Sequence, residues 1–250
     1  MIKNSFLFLE KISSLTEKKL WQQGFTHWDI FLKTKRIKGF SPLRKAYYDR
    51  KIREAAQALL ANDSSYFASC LPQKETWRLY PSFQEEACFL DLEVDSHRRI
   101  ILLGLSDNYQ TQFFIQGFNL EKEIIEKEIN RHKLIITFNG SSFDLPKLKK
   151  QLKINFSLPH IDLKPLCLRL GLQGGLKEIE KKLNLRRPQH LRGNPVDLWK
   201  AFHASGDQEW LNLLLEYNRE DIENLKWIMD YCYQKLKAKL LSEKIYKEKK

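Results

Sequence analysis

The sequence predicts an α/β fold: a mixed sheet, with an antiparallel three-strand meander joined to parallel strands, flanked by helices and preceded by a small helical region. Three observations carry this expectation. Cys88-Phe89-Leu90-Asp91-Leu92-Glu93-Val94 is an apolar run in which two acids alternate with leucines, as in a strand with one polar face. Arg99–Leu105 and Thr111–Gln116 repeat the strand pattern after short polar links, Asp95-Ser96-His97 and Asp107-Asn108-Tyr109, that fit hairpin turns. Leu134-Ile135-Ile136-Thr137-Phe138 is almost wholly apolar, as expected of a strand buried on both faces in a parallel pair, and a helical segment, Leu120–Arg131, leads into it.

Composition sets the frame. A chain of 250 residues holds one large domain, or a medium one with an appendage. No run approaches the roughly 18 apolar residues of a membrane span, and the N-terminus lacks the pattern of a secretory signal, so a cytoplasmic protein with no membrane partner is expected. Cys70, Cys88, Cys167 and Cys232 lie far apart without metal-ligand spacing, which reads as reduced thiols rather than a disulfide or zinc framework. The 43 Lys and Arg against 31 Asp and Glu leave a net charge of +12, which suits a polyanionic partner, nucleic acid before membrane.

Within 1–76, Thr16 is the expected N-cap of a helix carrying Leu20 and Trp21, Gly24 closes it, and Thr26 caps a second short helix with Trp28 and Phe31. The pair resembles a degenerate helix-hairpin-helix, with Ser14-Leu15-Thr16 where the glycine-rich turn belongs. A plain helical cap is the competing reading. Lys33–Arg53 interleaves nine cations with Phe40, Tyr47 and Tyr48. This is either a solvated helix face, with a helix over Pro42–Leu60, or a track for single strands, with charge for phosphates and rings for bases. The main domain is expected over 77–234 and a Lys-rich helical tail over 235–250.

In the main domain, Asp91 and Glu93 point the same way at a strand end and repel unless a cation sits between them. After the buried strand comes Phe138-Asn139-Gly140-Ser141-Ser142-Phe143-Asp144-Leu145-Pro146, where Asp144 opens a helix. His160-Ile161-Asp162-Leu163 reads as a short strand ending in an acid. Gly174-Gly175 starts a helix expected to hold Leu176, Ile179, Leu183 and Leu185, followed by a cationic loop with Arg186, Arg187 and Arg192. The last helix, from about Asp207 past Tyr233, sets Tyr217 and Asp221 four apart on one face.

Asp91-x-Glu93, Asp144 after Asn139-Gly140-x-x-Phe143, and Tyr217-x-x-x-Asp221, in this order, resemble the three motifs of the DEDD, or DnaQ-like, 3′–5′ exonucleases in their tyrosine branch. The Asn-Gly-x-x-Phe-Asp-Leu-Pro stretch, the His160–Leu163 strand and the Tyr217–Asp221 helix look most like the YprB-like ribonuclease-H-like family. Relatives commonly continue Thr-Thr-Gly after the glutamate, where this chain has Val94-Asp95. The resemblance implies a ribonuclease-H-like fold and a metal-dependent 3′–5′ exonuclease of single-stranded DNA or RNA; a catalytically silent nucleic-acid-binding module on the same fold, or an endonuclease, is the competing reading. Asp91, Glu93, Asp144 and Asp221 would be catalytic metal ligands and Tyr217 would orient water. Asn139, Arg186, Arg187 and Arg192 would meet substrate, with Asp162 supporting from behind. Four carboxylates select Mg²⁺ or Mn²⁺ over zinc. Two such ions about 4 Å apart can activate water and stabilise the leaving oxygen.

Overall fold

The computed structural model of the chain describes residues 1–191 and 193–245. The chain divides into two compact units, one of Met1–Gln84 with Ser157–Pro159 and the segment from Tyr233 onward, the other of Glu85–Phe156 with His160–Cys232. The residues from Trp77 to Gln84, expected with the main domain, fall in the first unit, as does the segment from Tyr233.

The first unit holds α1 (Ser14–Gln22), α2 (Trp28–Lys33), α3 (Pro42–Leu60), α4 (Ser65–Cys70) and α5 (Tyr80–Phe83). Phe6, Trp28, Phe31, Tyr48, Phe67 and Trp77 are buried in its core. The helix starts are displaced from those expected. Ser13, not Thr16, caps α1, its hydroxyl accepting the Thr16 amide, and His27 rather than Thr26 caps α2 through Nδ1. Ser14, Leu15 and Thr16 are the first turn of α1, so they are not the turn of a helix-hairpin-helix.

The same unit contains a buried ion cluster that the sequence did not disclose. Arg78 donates to both oxygens of Glu17, at 3.3 and 3.0 Å, and to Glu75 at 2.7 Å. Glu17 also accepts the Ser5 hydroxyl and the Phe6 amide. Two carboxylates share one guanidinium, and each of the three has a partner of opposite sign, which is the condition for burying ions at all. The basic segment is likewise turned inward in part. Lys45 is buried on Asp49 at 2.6 Å, the Tyr48 hydroxyl donates to the Glu10 carbonyl and the Tyr47 hydroxyl to the Glu10 carboxylate. Tyr47 and Tyr48, read as stacking surfaces, are thus engaged within the unit.

The second unit runs β1 (Ala87–Val94), β2 (Ile100–Ser106), β3 (Thr111–Ile115), α6 (Lys122–Ile129), β4 (Leu134–Thr137), α7 (Asp144–Leu152), β5 (His160–Asp162), α8 (Leu163–Arg169), α9 (Leu176–Lys182), α10 (Pro195–Ser205) and α11 (Gln208–Ile245), the last extending beyond the unit. The sheet has the order β3-β2-β1-β4-β5, antiparallel from β3 to β1 and parallel from β1 to β5. This is the mixed sheet expected. The core on the β2 side joins Ile101 and Leu102 to Trp199 of α10 and to Leu211 and Leu214 of α11.

In the second unit α8 and α10 go beyond the expected set, and α9 is shorter than expected. It stops at Lys182, with Leu183 as its C-cap and Asn184 at φ 57°, so Leu185 lies outside the helix. Asp95, which departs from the family pattern, builds the β1–β2 turn. It accepts the amides of His97 and Arg99 at 2.9 and 2.8 Å and pairs with the Arg99 side chain. Among the described residues no helix is long and apolar enough to cross a membrane.

Candidate active site

Strand pairing opens the site. β1 pairs with β4 only over Ala87–Phe89, whereas its pairing with β2 continues to Val94, so the strand segment carrying Asp91 and Glu93 has left β4 behind. Into that gap come the start of α7, the start of α9 and the first half of α11. They line a cleft of about 490 Å³ together with Asp91, Glu93, Asn139, Asp144, Tyr217 and Asp221.

One oxygen each from Asp91, Glu93 and Asp221 lies within 4.8 Å of the other two, a group that could hold a metal ion. Asp144 lines the same cleft but is not part of that group. The α11 backbone comes this close because residue 104, the β2 partner of Asp91, is glycine. A Cβ there would stand 1.9 Å from Asn218 Oδ1 and 2.4 Å from Ile222 Cδ1.

The carboxylates hold one another's protons. Burial, then the charges of Asp221, Glu93 and Asp144, keeps the Asp91 carboxyl well above the usual range. Burial with Asp221 and Asp144 pushes Glu93 up to about 8, against the pull of Lys177 and Arg187. Asp144 rises to about 7 through burial, although its own amide and that of Leu92 pull it down. Asp221 rises to about 6 through burial, with Arg187 lowering it. Such a set of oxygen donors, without His or Cys, fits a hard divalent cation, whose charge would offset the repulsion. Burial, then Asp221 and Glu93, also raises Tyr217, which therefore keeps its proton near neutral pH.

The loop that delivers Asp144 explains its own sequence. Asn139 sits at φ 65°, a left-handed conformation that asparagine tolerates better than most residues. Gly140 lies against Thr137, whose hydroxyl accepts the Gly140 amide at 3.1 Å and meets His160 Nε2 at 2.9 Å. A Cβ at residue 140 would fall 2.1 Å from that oxygen. Asp162 accepts the Asn139 and Ser141 amides at 2.8 and 3.0 Å and caps α8 through the Lys164 amide. Asp162 thus holds the loop from β5.

The cationic loop behaves differently from expectation. Arg187 does not line the cleft. It donates to both oxygens of Glu180 at 2.5 and 2.6 Å, and to Asp221. Glu180 is buried and also accepts from Asn224 at 3.1 Å. Arg187, expected to meet substrate, is instead engaged by two carboxylates. Arg186 is exposed and does not line the cleft, and Arg192 lies outside the described residues.

Lys177, Asn218 and Gly104 were not singled out from sequence. Lys177 Nζ stands 4.6 Å from the centre of the Tyr217 ring and lines the cleft. Its position two residues after Gly175, at the start of α9, was a usable signal. Asn218 had the weaker signal of lying between Tyr217 and Asp221. A second cleft, about 590 Å³, between the β2–β3 turn and α11, presents Tyr109 and Trp227 and contains none of the expected site residues.

A mixed β3-β2-β1-β4-β5 sheet with acids on its central strand and on a crossing helix defines a protein of the ribonuclease-H-like class. The RNase_H_2 family of the RNase_H superfamily matches residues 88–233, more than half of the chain, and the chain belongs to that superfamily. Among solved structures, the family B DNA polymerase from the hyperthermophilic archaeon Pyrobaculum calidifontis is similar with a TM-score of 0.47 and 13% identity, over 58% of this chain and 24% of that one. The chain thus corresponds to about a quarter of the polymerase. No curated protein matches significantly.

Proposed function

We propose that the chain is a metal-dependent 3′–5′ exonuclease of single-stranded DNA or RNA, of the tyrosine type and close to the YprB-like family. The observation that supports this most is the convergence of Asp91, Glu93 and Asp221 within 4.8 Å, one helical turn from Tyr217. In this reading Asp91, Glu93, Asp144 and Asp221 hold the metal. Bound Mg²⁺ or Mn²⁺, two ions by analogy with the family, would lower the pKa of water and neutralise charge on the scissile phosphate. Tyr217, kept protonated by burial and its acidic neighbours, donates a hydrogen bond that orients the attacking water rather than taking its proton. Phe138 and Phe143 line the cleft with Asn139, and an aromatic ring there would suit stacking of a terminal base.

The test uses end-labelled single-stranded DNA and RNA with and without Mn²⁺. Wild type should shorten them progressively from the 3′ end and leave a circular single strand intact. Asp91→Ala and Asp144→Ala should be inert while remaining folded. Digestion by these variants at the wild-type rate would refute the site assignment, and cutting of the circle would refute the exonuclease mode.

A further inference from the structure

Asn218 is wholly buried, and its Nδ2 donates to Asp91 Oδ2 at 2.8 Å. Its Oδ1 is buried without a hydrogen-bond partner and faces Gly104, where a Cβ would come to 1.9 Å. A residue serving only to pack α11 on β2 would be apolar here, because an unpaired buried carbonyl opposes folding. The arrangement instead keeps an amide donor on one oxygen of one carboxylate. Glycine on the strand opposite Asp91 clears the space that the amide needs.

We propose that Asn218 is a positioning residue for the metal centre. Its amide fixes the rotation of the Asp91 carboxylate so that the group meets Glu93 and Asp221 as a preformed set, and Gly104 is required because it admits that amide. This rests on the nuclease reading above. A neutral donor suits the task. A cation in the same place would satisfy Asp91 directly and compete with the metal, whereas an amide orients the carboxylate without neutralising it. Asn218 touches neither substrate nor reacting atoms in this scheme, so its effect passes through Asp91.

The experiment is Mn²⁺ titration of the full chain by calorimetry, with thermal unfolding in chelator and steady-state kinetics at saturating Mn²⁺. The proteins compared are wild type, Asp91→Ala, Asn218→Leu, Asn218→Ala and Gly104→Ala. Asn218→Leu keeps the volume and removes the donor. It should weaken Mn²⁺ binding roughly 10- to 100-fold, with KM for single strands unchanged and kcat largely recovered as Mn²⁺ is raised. Gly104→Ala should weaken Mn²⁺ in the same way although it removes no polar atom. If that variant does not fold, the two Asn218 variants carry the comparison. Wild-type Mn²⁺ affinity in Asn218→Leu, with Asp91→Ala defective, would overturn this proposal alone. Weakened binding that tracks loss of the folded state in both Asn218 variants would also overturn it. Equal Mn²⁺ binding by wild type and Asp91→Ala would overturn the metal site and the proposal together.

Discussion

The acid cluster makes the stability of the metal-free protein fall as pH rises, and Glu93 shows by how much. Its carboxyl titrates at about 8 in the folded chain against an ordinary 4.5. The folded state therefore binds this proton more tightly than the unfolded state. The corresponding stability is complete below the unfolded value and is lost as pH climbs through the folded one. Between pH 5 and pH 8 the loss from Glu93 alone is on the order of a few kcal/mol. For a protein of this size that is on the order of 10 °C in Tm. His160, buried and lowered to about 4, works in the opposite direction below pH 6.5, so the measurement must be a difference. Wild type and Glu93→Gln are melted side by side in chelator from pH 5 to pH 8. The wild type should lose stability relative to the variant as pH rises. Mn²⁺ at about 100 times its Kd should return about 2.7 kcal/mol to the wild type, and less to the variant. A wild-type-minus-variant difference that is flat with pH, or that grows in favour of the wild type, would refute the reasoning.

Two further outcomes follow from buried charge. Arg78→Ala leaves Glu17 buried with only the Ser5 hydroxyl and the Phe6 amide, and should destabilise the first unit by about 3–5 kcal/mol, read by urea unfolding. A much smaller effect would mean that Glu17 takes up a proton or reaches water. Asp162→Ala removes the acceptor of the Asn139 and Ser141 amides and should lower kcat and weaken Mn²⁺ binding together, because the metal ligand Asp144 is then delivered by a loosened loop. Unchanged kcat would show that Thr137 and the helix start hold the loop without it.

Much of the site was legible before the structure because its chemistry is local. Asp91 and Glu93 share a strand face by period two, and Tyr217 and Asp221 share a helix face by spacing of four, whatever surrounds them. The strands β2 and β3 and the buried β4 were legible for the same reason, their apolar patterns being bounded by turn residues. The helix α10 was missed although Asn194 caps it, Pro195 opens it and Gly206 ends it at φ 70°. Its apolar residues form a short cluster, Trp199 and its neighbours, rather than a long repeat.

The sequence by itself thus determined the mixed α/β fold, the inventory of acids and the elements that carry them. Only the tertiary structure decided what those residues meet, because partners distant in the chain are set by how sheet and helices cross. Arg187, expected to meet substrate, lies on Glu180 and Asp221 once α9 and α11 come together. Asn218, one position among several on a helix, becomes the donor to Asp91 only because Gly104 lets that helix approach the strand.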